Sequence, residues 1–136
     1  MIDRLRIAPD LIEAMLRAAR AAAPEECCGL VIGSPAGEVT RLVPAANVHD
    51  DPHRFFTLDP KTQFAVLREL RGREDEILLG HYHSHPTGPA EPSARDLAEA
   101  HDPELVWLLI DPLKGEIGAF TATPATGFTR IALENP

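Results

Sequence analysis

The sequence predicts an α/β fold, a single mixed β-sheet packed between helices. Three features carry that reading. Segments of helical periodicity are interleaved with short apolar runs along the chain. One run, ELVWLLI (104–110), is apolar after its first residue, as expected of a strand covered on both faces near the centre of a sheet. Several runs are joined by short Gly- or Pro-bearing turns, which make hairpins and so place antiparallel pairs in the same sheet. The length of 136 residues suits one domain, 1–136, with a real hydrophobic core.

Taken in order, Asp10–Ala23 is the first helix. Leu11, Ile12, Met15, Leu16, Ala19 and Ala22 fall on one face, and Asp10, Glu13, Arg17 and Arg20 on the other. Pro9 suits the first helical position and Pro24 ends the element. CCGLVIG (27–33) reads as a buried strand, paired through a turn at Ser34–Gly37 with a second strand in GEVTRLVPAANV (37–48). His49–Arg54 is a polar loop and FFTLD (55–59) a short strand. Asp59 caps a helix that begins at Pro60, turns Phe64, Leu67 and Leu70 inward and stops near Gly72. EILLGHYHSH (76–85) is a strand and Ser93–Ala100 a short helix. ELVWLLI follows, then a DPLKG turn, then strands in EIGAFT (116–121) and FTRIAL (128–133).

The formal net charge is −8 and no basic run stands out, so the electrostatic footprint of a nucleic-acid binder is missing. Aromatic residues make up 5%, little material for base-stacking platforms. The two cysteines, Cys27 and Cys28, are adjacent and so form no disulfide framework. MIDRLRIAPD has no apolar signal core, and no apolar run approaches the roughly 18–20 residues of a membrane span. A cytoplasmic protein, with no membrane and no nucleic-acid partner, is the expectation.

The chemistry concentrates in HYHSHPTGPAEPSARD (81–96). Alternate residues of a strand share a face, so His81, His83 and His85 lie together, and His83 and His85 can aim at one point past the strand end. The loop PTGPAEP can turn the chain back, and Asp96, one turn into the following helix, can face the histidines. Two imidazoles, one carboxylate and an open fourth position form the pattern of a catalytic zinc site. A second use competes for the same residue: Ser93 and Asp96 also make a capping box, in which the carboxylate serves its own helix.

With H-x-H, seven residues, then S-x-x-D, the chain resembles the JAMM (MPN-plus) metallopeptidases, short bacterial and archaeal type; PEECCGLVIG (24–33) resembles the family's glutamate-bearing strand. The order of elements follows the family along nearly the whole chain. The resemblance implies the MPN/JAB fold, with deaminase-like α-β-α layers. It implies that His83, His85 and Asp96 hold one Zn²⁺ with a bound water, that Glu26 is the general base, and that Ser93 donates to the tetrahedral oxyanion. It further implies cleavage of the peptide or isopeptide bond after the C-terminal Gly-Gly of a ubiquitin-like or sulfur-carrier protein, by a monomer or homodimer. The substrate tail is expected along residues 47–57, with Asn47, Phe55 and Phe56 as contacts. His81 is expected to be a supporting or surface residue, Ser84 structural, and Cys28 a buried thiol; His49, His53 and His101 follow no ligand spacing.

Three other readings are weighed against this one. A catalytically silent MPN-fold binding module would have lost the ligands, which are all present. A RadC-type, DNA-repair-associated relative carries a similar HxHPxGxxxPS segment, but the PEECCGL strand and the acidic charge argue against it. A zinc nucleobase deaminase needs a downstream PCxxC, which the chain lacks.

Overall fold

A computed structural model describes residues 2–123 and 125–136. Its strands are β1 (Arg4–Arg6), β2 (Cys28–Gly33), β3 (Val39–Ala45), β4 (Ile77–Ser84), β5 (Val106–Asp111), β6 (Glu116–Thr123) and β7 (Gly127–Glu134); its helices are α1 (Pro9–Ala22), α2 (Pro60–Leu70) and α3 (Ala94–Glu99). The strands form one seven-stranded sheet in the order β1-β7-β6-β5-β4-β2-β3. The pairs β4–β5 and β1–β7 are parallel and the rest antiparallel, so the sheet is mixed with β5 at its centre, as the apolar run predicts.

The pleat sorts side chains to two faces. Leu79, Tyr82, Val106, Leu108 and Ile110 point to one face, where they pack with Met15 and Ala19 of α1 and with Leu5 and Ile7. Trp107 and Leu109 point to the other face, as do Leu30 and Ile32, which meet Val66 and Leu70 of α2. The register pairs His81 with Trp107 and His83 with Leu109, so these histidines lie on the α2–α3 side. The layers are therefore α-β-α.

Three expectations are corrected. FFTLD is not a strand; only Leu58 makes a bridge, to Asn47, because the Asn47 side chain occupies main-chain groups at Phe55 and Thr57 that a ladder would need. Phe64 and Leu67 do not face inward: they are 67% and 44% exposed, while Val66 and Leu70 are buried. α2 touches the sheet along a narrow stripe four residues apart, and the choice of stripe depends on where the neighbouring layer lies. Regular structure does not begin at the first helix: the N-terminal strand β1 precedes it, only three residues long and recruited by β7.

Gly80 shows how tightly β4 and β5 meet. A Cβ there would fall 1.9 Å from the Val106 carbonyl oxygen, a main-chain atom that cannot move aside alone. Gly80→Ala is expected to cost about 2–3 kcal/mol through overpacking. A lowered denaturation midpoint checks this.

Candidate metal centre

The site is assembled where β4 ends. His83 is the last side chain on the α2–α3 face within β4 and is fully buried; His85 lies just beyond the strand and still donates its main-chain N–H to the Ile110 carbonyl at 2.8 Å. Ser84, between them, points to the opposite face. Its hydroxyl oxygen accepts from the Cys27 N–H at 2.8 Å, tying the residue after Glu26 to the histidine strand.

The return loop is positioned by small residues. Gly88 has φ +67°, and a Cβ on it would meet the Asp111 carboxylate at 2.5 Å. The Gly88 N–H donates to the His85 carbonyl at 2.7 Å. His85 Nδ1–H donates to the Pro89 carbonyl at 2.9 Å, which turns Nε2 toward the site.

His83, His85 and Asp96 each offer a ligand atom, and these atoms lie within 4.8 Å of one another. Asp96 Oδ1 is 3.1 Å from His83 Nε2, and Oδ2 is 3.3 Å from His85 Nε2. The capping box is also present: the Ser93 N–H donates to Asp96 Oδ2 at 2.8 Å, and the Asp96 N–H donates to Ser93 Oγ at 3.1 Å. Capping and facing the histidines are thus not rivals. One carboxylate does both, because a single oxygen of the pair serves the cap and both remain turned toward the imidazoles.

Electrostatics suit a cation. Burial raises the Asp96 carboxyl, but hydrogen bonds with His83 and His85 outweigh it and hold the group well below the usual carboxylate range, so it stays ionised. Burial keeps His83 neutral. Two imidazoles and an anionic oxygen converging from three sides are the donor set of a catalytic zinc site, so these residues fit the ion. His81 does not join them: it is wedged against Trp107 at 4.4 Å between ring centroids, and burial pushes its pKa down to about 3.

Glu26 sits in the turn between α1 and β2, buried, lining the same cavity as His85, Ser93 and Asp96. Burial pushes its carboxyl up to about 7, with His85 pulling against that and Asp96 adding to it. The cavity has a volume of about 700 Å³. One wall is the 53–58 loop and the other is the 86–88 loop with α3. Phe56 stacks on His83 at 4.2 Å, and Phe55 lies under the Arg95 guanidinium at 4.5 Å. Asn47 stands behind the wall, bonded to main chain. His53 and His101 also line the cavity, whereas His49 packs on Phe55 and its Nδ1 accepts from the Asp51 N–H. Burial raises both thiols, Cys28 to about 12, so neither is a nucleophile at neutral pH.

Sequence reasoning missed Arg95 and Trp107 as cavity residues. Arg95 is hidden inside the S-x-x-D spacing, and Trp107 enters through the β4–β5 register that pairs it with His81.

Residues 8–123 match the family described as prokaryotic homologs of the JAB domain. The chain is 36% identical to the desampylase of Haloferax volcanii, over 92% of this chain and 90% of that one. It is 32% identical to the CysO-cysteine peptidase of Mycobacterium tuberculosis, over 85% and 81% of the two chains. The solution structure of protein DSY2949 from Desulfitobacterium hafniense superposes with a TM-score of 0.82 at 31% identity, covering 97% of this chain and 94% of that one.

Proposed function

The chain belongs to the prokaryotic JAB-domain family, and from that premise we propose that it is a zinc-dependent hydrolase of the amide bond that follows the C-terminal Gly-Gly of a ubiquitin-like or sulfur-carrier protein. The observation that carries the reading is the convergence of His83, His85 and Asp96 beside a buried Glu26 in one cavity.

Zinc, if held by these three residues, would supply a Lewis acid able to bring the pKa of water to about 7. The chain's own groups do the rest. Glu26 takes a proton from the attacking water and returns it to the leaving nitrogen as the C–N bond breaks, giving a Gly-Gly carboxylate and a free amine. The Ser93 hydroxyl oxygen is engaged by the Asp96 N–H as an acceptor, so its own hydrogen is free to donate to the oxyanion. Within the 47–57 segment, residues 53–57 supply the wall along which an extended tail lies, with Phe55 and Phe56 facing it.

Ser93→Ala is expected to keep the metal, because the main-chain N–H of residue 93 still holds Asp96. It is expected to lower kcat by about 10²–10³-fold and stability by about 1 kcal/mol for the lost cap. Steady-state kinetics and a melting curve check the two effects separately.

The function is tested by incubating the zinc-loaded protein with Gly-Gly-tailed carrier proteins extended by a single amino acid or joined to a lysine side chain. Mass spectrometry should show a carrier ending in Gly-Gly, and a chelator should prevent its appearance. Intact conjugates after incubation with fully loaded protein would defeat the proposal.

A further inference from the structure

Asn47 follows β3, where the chain leaves the sheet, and its side-chain amide is fully used. Nδ2–H donates to the carbonyls of Glu26 and Phe55, each at 3.0 Å, with the Pro52 carbonyl at 3.4 Å. Oδ1 accepts from the His49 and Thr57 N–H groups, each at 3.1 Å. An amide has two N–H bonds and two lone pairs, so this set leaves little capacity for a substrate. The loop answers in kind: the Glu26 N–H donates to the Pro52 carbonyl at 2.8 Å.

Glu26 needs such a tie. It lies outside the β2 ladder, which begins at Cys28, and no side-chain hydrogen bond holds its carboxylate among the described residues. On the loop side its main chain is held by Asn47 and Pro52 alone. The same amide closes the loop from His49 to Thr57, whose residues 53–57 line the cavity.

We propose that Asn47 is a positioning residue that acts through Glu26, locking the main chain of Glu26 and the 49–57 wall into one unit. The separation between the proton acceptor and the substrate wall is then set by this side chain together with the Glu26–Pro52 main-chain bond. The inference rests on the reading of Glu26 as general base. It reassigns Asn47 from substrate contact to scaffold of the base.

The test uses Asn47→Ala and Asn47→Asp, each alone and combined with Glu26→Gln, on the zinc-loaded full chain. Bound zinc, amide hydrogen exchange and single-turnover cleavage of a Gly-Gly conjugate are measured. Zinc content and amide protection in β2 and β4 should match wild type in every variant. Asn47→Ala should lose protection at His49 and Thr57, whose N–H groups it holds directly, and should weaken it at Glu26, whose N–H donates to the loop carbonyl of Pro52. Asn47→Asp keeps the acceptor bonds, so His49 and Thr57 should stay protected, while its carboxylate repels the Glu26 and Pro52 carbonyls and weakens protection at Glu26.

Both substitutions should slow cleavage about 10–100-fold when Glu26 is present, the scale of a displaced catalytic group. Neither should slow it more than about 2-fold when Glu26 is already Gln, since groups acting as a unit are not additive. The same large factor in both backgrounds, or a wild-type rate for Asn47→Asp, would overturn the inference alone. A wild-type rate for Glu26→Gln would overturn the reading of the base and the inference with it. Should Asn47→Ala fail to fold, Asn47→Asp carries the comparison.

Discussion

Glu26→Gln is expected to keep one zinc per chain and to lower kcat by about 10³-fold, within the range for losing a general acid–base group. The amide preserves shape, and Glu26 is not among the three convergent groups that could hold the ion, so metal content should not change. The acid limb of the wild-type pH–rate profile should vanish with it. Burial, opposed by His85 and aided by Asp96, brings the carboxyl to about 7, and a neighbouring dication pulls that value down, so the limb lies at or below about 7 and activity is lost as pH falls through it.

The same substitution has an opposite effect on the metal-free protein. The folded pKa of Glu26 is raised above its ordinary value of 4.5, so folding favours its protonated form. The contribution of Glu26 to wild-type stability therefore declines as pH rises from about 4.5 to about 7. Gln mimics the protonated state at all pH values. Metal-free Glu26→Gln should exceed wild type by about 1–2 kcal/mol above pH 7, a figure reduced for partial solvent screening, and should equal it below about pH 4.5. Denaturant melts at pH 4 and pH 8 read this directly. A variant less stable than wild type at pH 8 would mean that the carboxylate is satisfied in the fold.

The second large effect belongs to Asp96. Asp96→Asn is expected to weaken zinc binding by at least about 100-fold, beyond what is typical for losing a partner outside the ligand set. Its amide oxygen can still accept from the Ser93 N–H, so α3 should persist. Asp96→Ala removes ligand and cap together and should cost about 1 kcal/mol more. Metal titration and melting of the two variants separate the roles that one carboxylate combines. Stoichiometric zinc in Asp96→Asn would exclude Asp96 as a ligand.

How much was legible depended on whether the controlling physics was local. The sharing of a face by His83 and His85 follows from the pleat. The capping box follows from the helix start at Ser93. The central place of ELVWLLI follows from its lack of a polar side. The inward stripe of α2 did not follow, because Phe64 and Val66 are equally apolar and only the position of β2 chooses between them. FFTLD resembled a strand because its composition says nothing about an Asn eight residues upstream that captures the main chain of Phe55. Glu26 had no local mark; its place came from resemblance, and its proximity to Asp96 is a fact of the sheet order. The dual service of Asp96 was hidden for a different reason. The sequence displays two uses for one residue and does not show that its two oxygens can divide them.

The alternation that puts His83 and Tyr82 on opposite faces also governs how this chain can change over evolutionary time. β4 already carries one such irregularity: Val31 pairs with Gly80 and Ile32 with Leu78, so Leu79 is an extra residue, which is how Leu79 and Tyr82 come to share a face. Beyond it, deleting or inserting one residue within Gly80–Ser84 would exchange the faces of the side chains that follow. An imidazole would then be driven among Leu108 and Met15, and a tyrosine would stand where the site needs a histidine. Length variation in descendants of this sequence should therefore gather in the connecting segments 71–76 and 100–105 and at the Leu79 irregularity, while Gly80–Ser84 accepts substitution but no change in number.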